Sequence, residues 1–279
     1  MKLTVLVDNN TYIDKYFYGE PAVSYFIEDE GKRILYDLGY SEAFILNAHK
    51  LKIDLLTLDY LIFSHGHLDH MWGLDSLLRM YMEADTGGFE MVKPTVVVHP
   101  KTFYFRPRTW LGGSGSLISE ERVGQFFEIR KSETPIWLTE KLVWLGNIPR
   151  SNDFELKKSF KKIRIDSKDE DDYMEDEVAL AYKSGQGLVV ISACSHRGIC
   201  NIIEYAKQVC NEEKIADVIG GFHLQNPEKE VMNKTIDYFS KNQPKALHAC
   251  HCTDFKSKVA LAKVANLLEV GVGLALEYK

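Results

Sequence analysis

Apolar positions along this chain follow two rhythms, one of short strands and one of helices. Residues 3–7 read as a strand, 22–28 as a second, and 33–36 as a third returning from the turn Asp29-Glu30-Gly31-Lys32. Helical spacing follows over 41–50, and then the apolar strand 58–63. Beyond a polar, histidine-rich interruption, Met71, Trp72, Leu74, Leu77, Leu78 and Tyr81 recur at helical spacing. Residues 95–98 predict a short strand, and 125–145 several more. The second half alternates: strand 187–192, helix 201–210, strand 216–220, helix 228–240, strand 246–250, helix 259–268 and strand 272–276. Early hairpins and later strand–helix alternation predict an α/β protein, a four-layer αββα sandwich with helices on its outer faces. No Pro/Gly-rich linker and no fixed-period repeat divides the 279 residues, so one domain, 1–279, is expected.

Two segments fit neither rhythm. Residues 103–116 mix aromatics, Arg106 and Arg108 with the run Gly112-Gly113-Ser114-Gly115, and are expected to form a mobile loop. The glycines lack GxGxxG spacing and no Lys-Ser/Thr follows them, so a nucleotide-binding turn is excluded. The acidic run 167–176 is expected to be a solvated loop.

Composition narrows the function. The net charge of −6 gives no electrostatic reason to expect a nucleic-acid partner. No stretch is apolar for long enough to span a bilayer, so no membrane partner is expected. The N-terminal apolar run turns polar too soon for a signal peptide, which makes a cytoplasmic location the default expectation.

The chemistry lies in the histidines. Six of nine (His65, His67, His70, His196, His223 and His251) directly follow a predicted strand or its short loop. Strand ends of an α/β sheet are where sites are built. In His65-Gly66-His67-Leu68-Asp69-His70, residues i and i+2 of an extended loop point the same way, so His65 and His67 can bind one ion. Asp69 and His70 open the following helix, where Asp69 can ligate a second ion or orient a water. Several imidazoles at one sheet edge suit a borderline cation such as zinc. His196 follows strand 187–192 through Cys194-Ser195, and His251 ends strand 246–250. On that last strand His248 and Cys250 face one way, Ala249 and His251 the other. His223, after Gly220-Gly221, can ligate, bridge, or stabilise substrate charge. His49 and His99 are assigned to structure. The odd count of five cysteines, without an export signal, reads as free thiols. Cys250 and Cys252 lack CxxC spacing and are taken as neighbours of the site.

The run His-x-His-x-Asp-His after an apolar strand resembles the hallmark of the metallo-β-lactamase superfamily. Ile34-Leu35-Tyr36-Asp37-Leu38-Gly39 looks like its first motif, Cys194-Ser195-His196-Arg197-Gly198 its third, Gly220-Gly221-Phe222-His223-Leu224 its fourth and His251-Cys252-Thr253 its fifth. The last two wordings, with Asn9-Asn10, resemble the 7,8-dihydropterin-6-methyl-4-(β-D-ribofuranosyl)-aminobenzene 5′-phosphate synthase-like subfamily. The chain departs from the family with His223 for the bridging aspartate, Asp254 for a glycine, and Glu20-Pro21-Ala22 for Glu-His-Gly.

The resemblance implies two divalent ions, zinc foremost, with Mn2+ or Fe2+ as alternatives. His65, His67 and His196 would hold the first, and Asp69, His70 and His251 the second, with His223 nearby. Asp37 would brace the metal loop. The implied activity is hydrolysis of a small-molecule ester, a phosphate ester or pterin-related compound, by a metal-bound hydroxide oriented by Asp69, with His223 stabilising developing charge. Arg197, Arg106 and Arg108 are candidate receivers of a substrate phosphate or carboxylate. Two other readings compete. A di-iron redox protein is disfavoured by His67 where such proteins tend to carry Glu. A non-catalytic metal-dependent binding module is disfavoured by the complete ligand set.

Overall fold

The computed structural model describes residues 1–108, 113–155, 158–159 and 161–279. Its strands, in chain order, are β1 (Lys2–Val7), β2 (Ser24–Asp29), β3 (Lys32–Tyr36), β4 (Tyr60–Ile62), β5 (Thr95–Val98), β6 (Ile129–Lys131), β7 (Ile136–Trp137) and β8 (Leu142–Trp144). They continue with β9 (Lys161–Ile165), β10 (Lys168–Asp172), β11 (Leu180–Ser184), β12 (Gly187–Ile191), β13 (Ile215–Gly221), β14 (Ala246–Cys250) and β15 (Ala275–Glu277). The helices are α1 (Ala43–Lys50), α2 (Leu68–Met71), α3 (Leu74–Thr86), α4 (Glu120–Gly124), α5 (Ile199–Cys210), α6 (Lys229–Asn242) and α7 (Phe255–Leu261). Among the described residues no helix is long and apolar enough to cross a membrane.

The chain forms two compact units. The first comprises Met1–Ser132, Lys161–Asp171 and Gly271–Glu277. Its sheet runs β15-β1-β2-β3-β4-β5-β6, antiparallel as far as β3 and parallel from there to β6. The β2–β3 hairpin turns through Glu30 and Gly31, both at positive φ, as a tight two-residue turn requires. Leu35, Leu61, Val96 and Phe63 from the sheet pack with Phe44, Leu74, Leu77 and Tyr81 from the helices. The helical pattern expected through Met71 and Tyr81 is split into α2 and α3 at Gly73, where a Cβ would meet the Leu38 carbonyl at 2.3 Å.

The second unit comprises Glu133–Phe160, Asp172–Val270 and Tyr278–Lys279. Its sheet runs β14-β13-β12-β11-β8-β7, parallel over β14-β13-β12 and antiparallel onward. Val190, Val218, Leu247, Ile203, Phe222 and Phe239 form its core. Each unit therefore joins antiparallel hairpins to a parallel half, whereas the sequence pattern placed the hairpins mainly in the N-terminal half.

Two further segments differ from expectation. The acidic run is largely the strand β10, hydrogen-bonded to β9 and laced by Lys162–Asp171 and Arg164–Asp169 ion pairs; beyond it Asp176 is buried. Opposite charges across a hairpin supply the pairing that the run alone does not show. The helix expected at 259–268 begins at Phe255, because the Asp254 side chain accepts from the Ser257 N–H and caps it. Within 103–116 the described residues are hydrogen-bonded: Ser114 N–H to the Arg106 carbonyl, and Trp72 Nε1 to the Gly115 carbonyl. Gly112, from the expected glycine run, lies outside the described residues.

The start of α5 carries His196 and Arg197 just ahead of it and is capped from a distance. Glu155 accepts from the backbone N–H of Cys200 at 3.0 Å and of Asn201 at 2.9 Å, and from Asn152 Nδ2 at 2.7 Å. Burial pushes its carboxyl up, although the Cys200, Asn152 and Asn201 bonds pull down. A carboxyl that ionises less readily folded than unfolded loses stability as pH rises above its ordinary range. Glu155→Gln should therefore gain stability relative to wild type between pH 5 and pH 8, read as urea midpoints, and a constant difference would contradict this account.

Candidate metal centre

In the first unit the histidine run follows β4. Asp37, directly after β3 and parallel-paired to that strand end, sits at φ 58 and is fully buried. Its Oδ1 accepts the Ser64 N–H at 2.7 Å, and its Oδ2 accepts the Ser64 hydroxyl at 2.6 Å and His70 Nδ1 at 2.7 Å. The Ser64 hydroxyl has one proton, and it goes to Asp37. His65 Nδ1, 2.8 Å from that oxygen, must then be the donor. Both His65 and His70 are thereby fixed as Nδ1–H tautomers, with the Nε2 lone pair as the ligand atom.

Within the run, ligand-type atoms approach one another in pairs. His65 Nε2 and His67 Nδ1 are 3.0 Å apart. Two nitrogens on one tetrahedral zinc lie about 3.3 Å apart at bond lengths of about 2.05 Å. His70 Nε2 is 3.6 Å from Asp69 Oδ2, and the His65 and His70 rings are 4.1 Å apart at their centroids. Gly66 is required where it stands: a Cβ would meet the Thr102 carbonyl at 2.1 Å and Arg106 Nη1 at 2.3 Å. Arg106 is thus buried against the metal loop. Arg108 is half-buried and electrostatically close to Lys161, whose ammonium is held below its usual value by burial and by that guanidinium.

In the second unit, Ser195, His223 and His251 all lie at positive φ, near 61, 50 and 48 degrees. Such conformations are costly for non-glycine residues and gather at functional sites. His251 breaks the strand alternation at the end of β14, while His248, on the strand, pairs with Asp217 at 2.8 Å and is structural. The His196 and His223 rings lie 4.2 Å apart. Glu177 holds the His196 loop by accepting the N–H of His196 at 2.6 Å and that of Arg197. Burial pushes Glu177 up to about 7 against the pull of those bonds. Cys194 Sγ lies 3.2 Å from Cys252 Sγ and 3.6 Å from His223 Nδ1. Burial pushes the Cys252 thiol up, but Cys194, His251 and His223 outweigh this and hold it well below its usual value. A cavity of about 360 Å³ is lined by Ser195, His196, Phe222, His223, Leu224 and Gln225, among others. A cavity of about 200 Å³ in the first unit, lined by Tyr81, Lys93 and Phe126 among others, holds no histidine.

The structure thus gathers His65, His67, Asp69, His70 and Asp37 in one unit, and His196, His223 and His251 in the other. Arg197 departs from expectation. Its guanidinium is buried and donates to the Ile148 carbonyl through Nε and Nη2, and to the Tyr173 carbonyl through Nη1. It braces two backbone segments, and those bonds occupy the faces a substrate anion would need. His99 accepts the Lys101 N–H and His49 is exposed, as a structural assignment expects. Sequence reasoning missed Ser64, Glu177 and the pairing of Cys194 with Cys252. Ser64 immediately precedes the histidine run, and Glu177 stands where the acidic run meets the apolar run 178–182; those positions were the available signals.

Residues 18–81 match the metallo-beta-lactamase superfamily profile. The crystal structure of Tm1679, a metal-dependent hydrolase of the beta-lactamase superfamily, aligns over 100% of this chain and 99% of its own with a TM-score of 0.83 and 25% identity. Residues 18–81 thus resemble the metallo-β-lactamase superfamily, and the fold is that of the metallo-β-lactamase proteins. More particularly, the chain is similar to 7,8-dihydropterin-6-methyl-4-(beta-D-ribofuranosyl)-aminobenzene-5'-phosphate synthase of Methanocaldococcus jannaschii, 29% identical over 92% of this chain and 89% of the relative. An uncharacterized protein of the same organism is 28% identical over 97% of this chain and 98% of its own length.

Asp37 fixes two imidazoles at once, so its loss should register in metal binding. Asp37→Asn should lower zinc affinity about 10–100-fold by competition with a chromophoric chelator, the usual cost of removing such a partner. Unchanged affinity would remove Asp37 from the site.

Proposed function

We propose that the protein is a metal-dependent hydrolase of a small-molecule ester, with a phosphate ester or a pterin-related compound as substrate. The observation that carries the reading is the histidine loop, with two imidazoles locked by Asp37 and Ser64 into the tautomer a metal needs. In the first unit His65, His67, Asp69 and His70 would supply ligands to divalent ions, zinc foremost, and in the second unit His196 and His251 would do so, with His223 nearby. Bound there, divalent ions supply Lewis acidity and lower the pKa of water from about 15.7 toward about 7.

The chain's own groups do the rest. The Asp69 carboxylate, in the first turn of α2, orients the attacking water and accepts its proton. His223 donates toward the charge that develops on the substrate oxygen. Arg106, buried behind Gly66, and Arg108 beside Lys161 place positive charge in the first unit, where a phosphate is held before attack. Arg197 keeps the His196 turn in place through its carbonyl bonds. This reading treats residues 1–279 as one functional domain in a cytoplasmic setting.

Zinc- and manganese-loaded protein, assayed on phosphomonoesters, phosphodiesters and lactones, should turn over one phosphate-ester class. A chelator should abolish the activity, and His67→Ala should reduce kcat/KM by roughly 10²–10³-fold or more. The reading fails if no ester is turned over, or if His67→Ala is as active as wild type.

A further inference from the structure

We propose that Tyr40 and Trp72 form a stacking platform beside the histidine loop, one that selects esters carrying a planar aromatic group. This deepens the hydrolase reading and rests on the substrate being held at that loop. The two rings are stacked, with centroids 5.2 Å apart and planes 26° apart. Trp72 backs the Tyr40 ring, and Tyr40 is still 45% exposed.

Both rings are tied to the elements that carry the proposed chemistry. Trp72 ends α2 in a helical conformation, three residues after Asp69. Residues i and i+3 of a helix are neighbours on one face, with Cβ atoms about 5–6 Å apart. His70, one residue on from Asp69, turns inward to the buried Asp37 carboxylate at 2.7 Å. Asp69, 28% exposed, shares with half-buried Trp72 the face of α2 that solvent and substrate reach. Tyr40 lies on the loop that follows β3, three residues after Asp37. Two backbone bonds fasten that loop to α2: Leu38 N–H to the His70 carbonyl at 2.9 Å, and Gly73 N–H to the Gly39 carbonyl at 3.3 Å.

The platform is held in place before any ligand arrives. Glu20 Oε1 accepts the backbone N–H of Tyr40 at 2.8 Å and of Ser41 at 3.1 Å, and its Oε2 accepts the Ser41 hydroxyl at 2.6 Å. Gly39, at φ 71, leaves the room: a Cβ there would meet Glu20 Oε1 at 2.7 Å. The Trp72 indole N–H donates to the Gly115 carbonyl at 2.8 Å, which fixes the ring plane. The segment that supplies Gly115 also supplies Arg106, whose Nη1 would lie 2.3 Å from a Cβ on Gly66. Aromatic rings attract a further ring in offset stacking, and a guanidinium takes a phosphate. Rings and cation on either side of Asp69 fit a phosphate ester whose aryl or heteroaryl group lies close to the phosphorus. A saturated ring of the same size fills the same space without the stacking.

Zinc-loaded full-length protein titrated with benzylphosphonate and with cyclohexylmethylphosphonate tests this, because the two differ in the aromaticity of one ring. Wild type should bind benzylphosphonate about 3–10-fold more tightly, the worth of one aromatic pair. The bound phenyl protons should shift upfield in the NMR spectrum under the Tyr40 ring current. Tyr40→Ala should bring the two affinities together and abolish the shift, and Tyr40→Phe should keep both. In turnover of the corresponding phosphate esters the same preference should appear in KM and leave kcat little changed. Phosphonate binding needs no turnover, so a protein that hydrolyses neither ester can still show the ring preference, and one that hydrolyses both alike loses only the platform. Equal affinities in wild type, no binding of either phosphonate, a preference that survives Tyr40→Ala, or loss of both ligands alike in that variant would overturn the proposal.

Discussion

The buried carboxylate of Asp37 is the constraint on which the candidate site depends. One oxygen holds the Ser64 backbone, and the other holds the Ser64 hydroxyl and the His70 ring. A buried carboxylate is tolerated when it is hydrogen-bonded, and these three bonds give each oxygen at least one donor. The same bonds pass through Ser64 to His65, so one side chain sets the orientation of two imidazoles. The backbone pays for this with a left-handed residue at the end of β3. Parallel pairing of β3 with β4 brings the Asp37 end beside Ser64, which makes the sheet register itself part of the site.

The second unit reaches a comparable arrangement by different means. Its parallel strands β12, β13 and β14 end together, and the residues just past them carry the chemistry. Ser195, His223 and His251 leave their strands in left-handed conformations, and Gly220-Gly221 permits the closest backbone approaches. Glu155 and Glu177, both buried, hold the start of α5 and the His196 turn through backbone N–H groups. Strand ends supply the ligands, and remote carboxylates fix the loops that present them.

Much of this was legible in the sequence where the signal is local. The hairpin at Glu30-Gly31 has both turn chemistry and alternating apolar flanks, and strand 246–250 falls where its apolar run predicts. The histidines were legible because ligand spacing on a loop is a short-range property. Asp37 was reached only through family resemblance, since its partners lie 27 and 33 residues away. Pairing that depends on distant residues was not legible. The acidic strand β10 is explained by the cations of β9, and Arg197 reads as a substrate ligand until the Ile148 and Tyr173 carbonyls are placed beside it. Helix α7 was shifted because the Asp254 cap outweighs the apolar spacing that follows it. The meeting of Cys194 with Cys252 crosses 58 residues and has no local signature.

The central claim is that Asp37 and Ser64 lock His65 and His70 as Nδ1–H tautomers, presenting Nε2 as the ligand atom. Heteronuclear NMR of the imidazole nitrogens in the metal-free protein reads this directly. Nδ1-protonated rings for both residues agree with the account; Nε2-protonated rings, or exchange between the two forms, would contradict it.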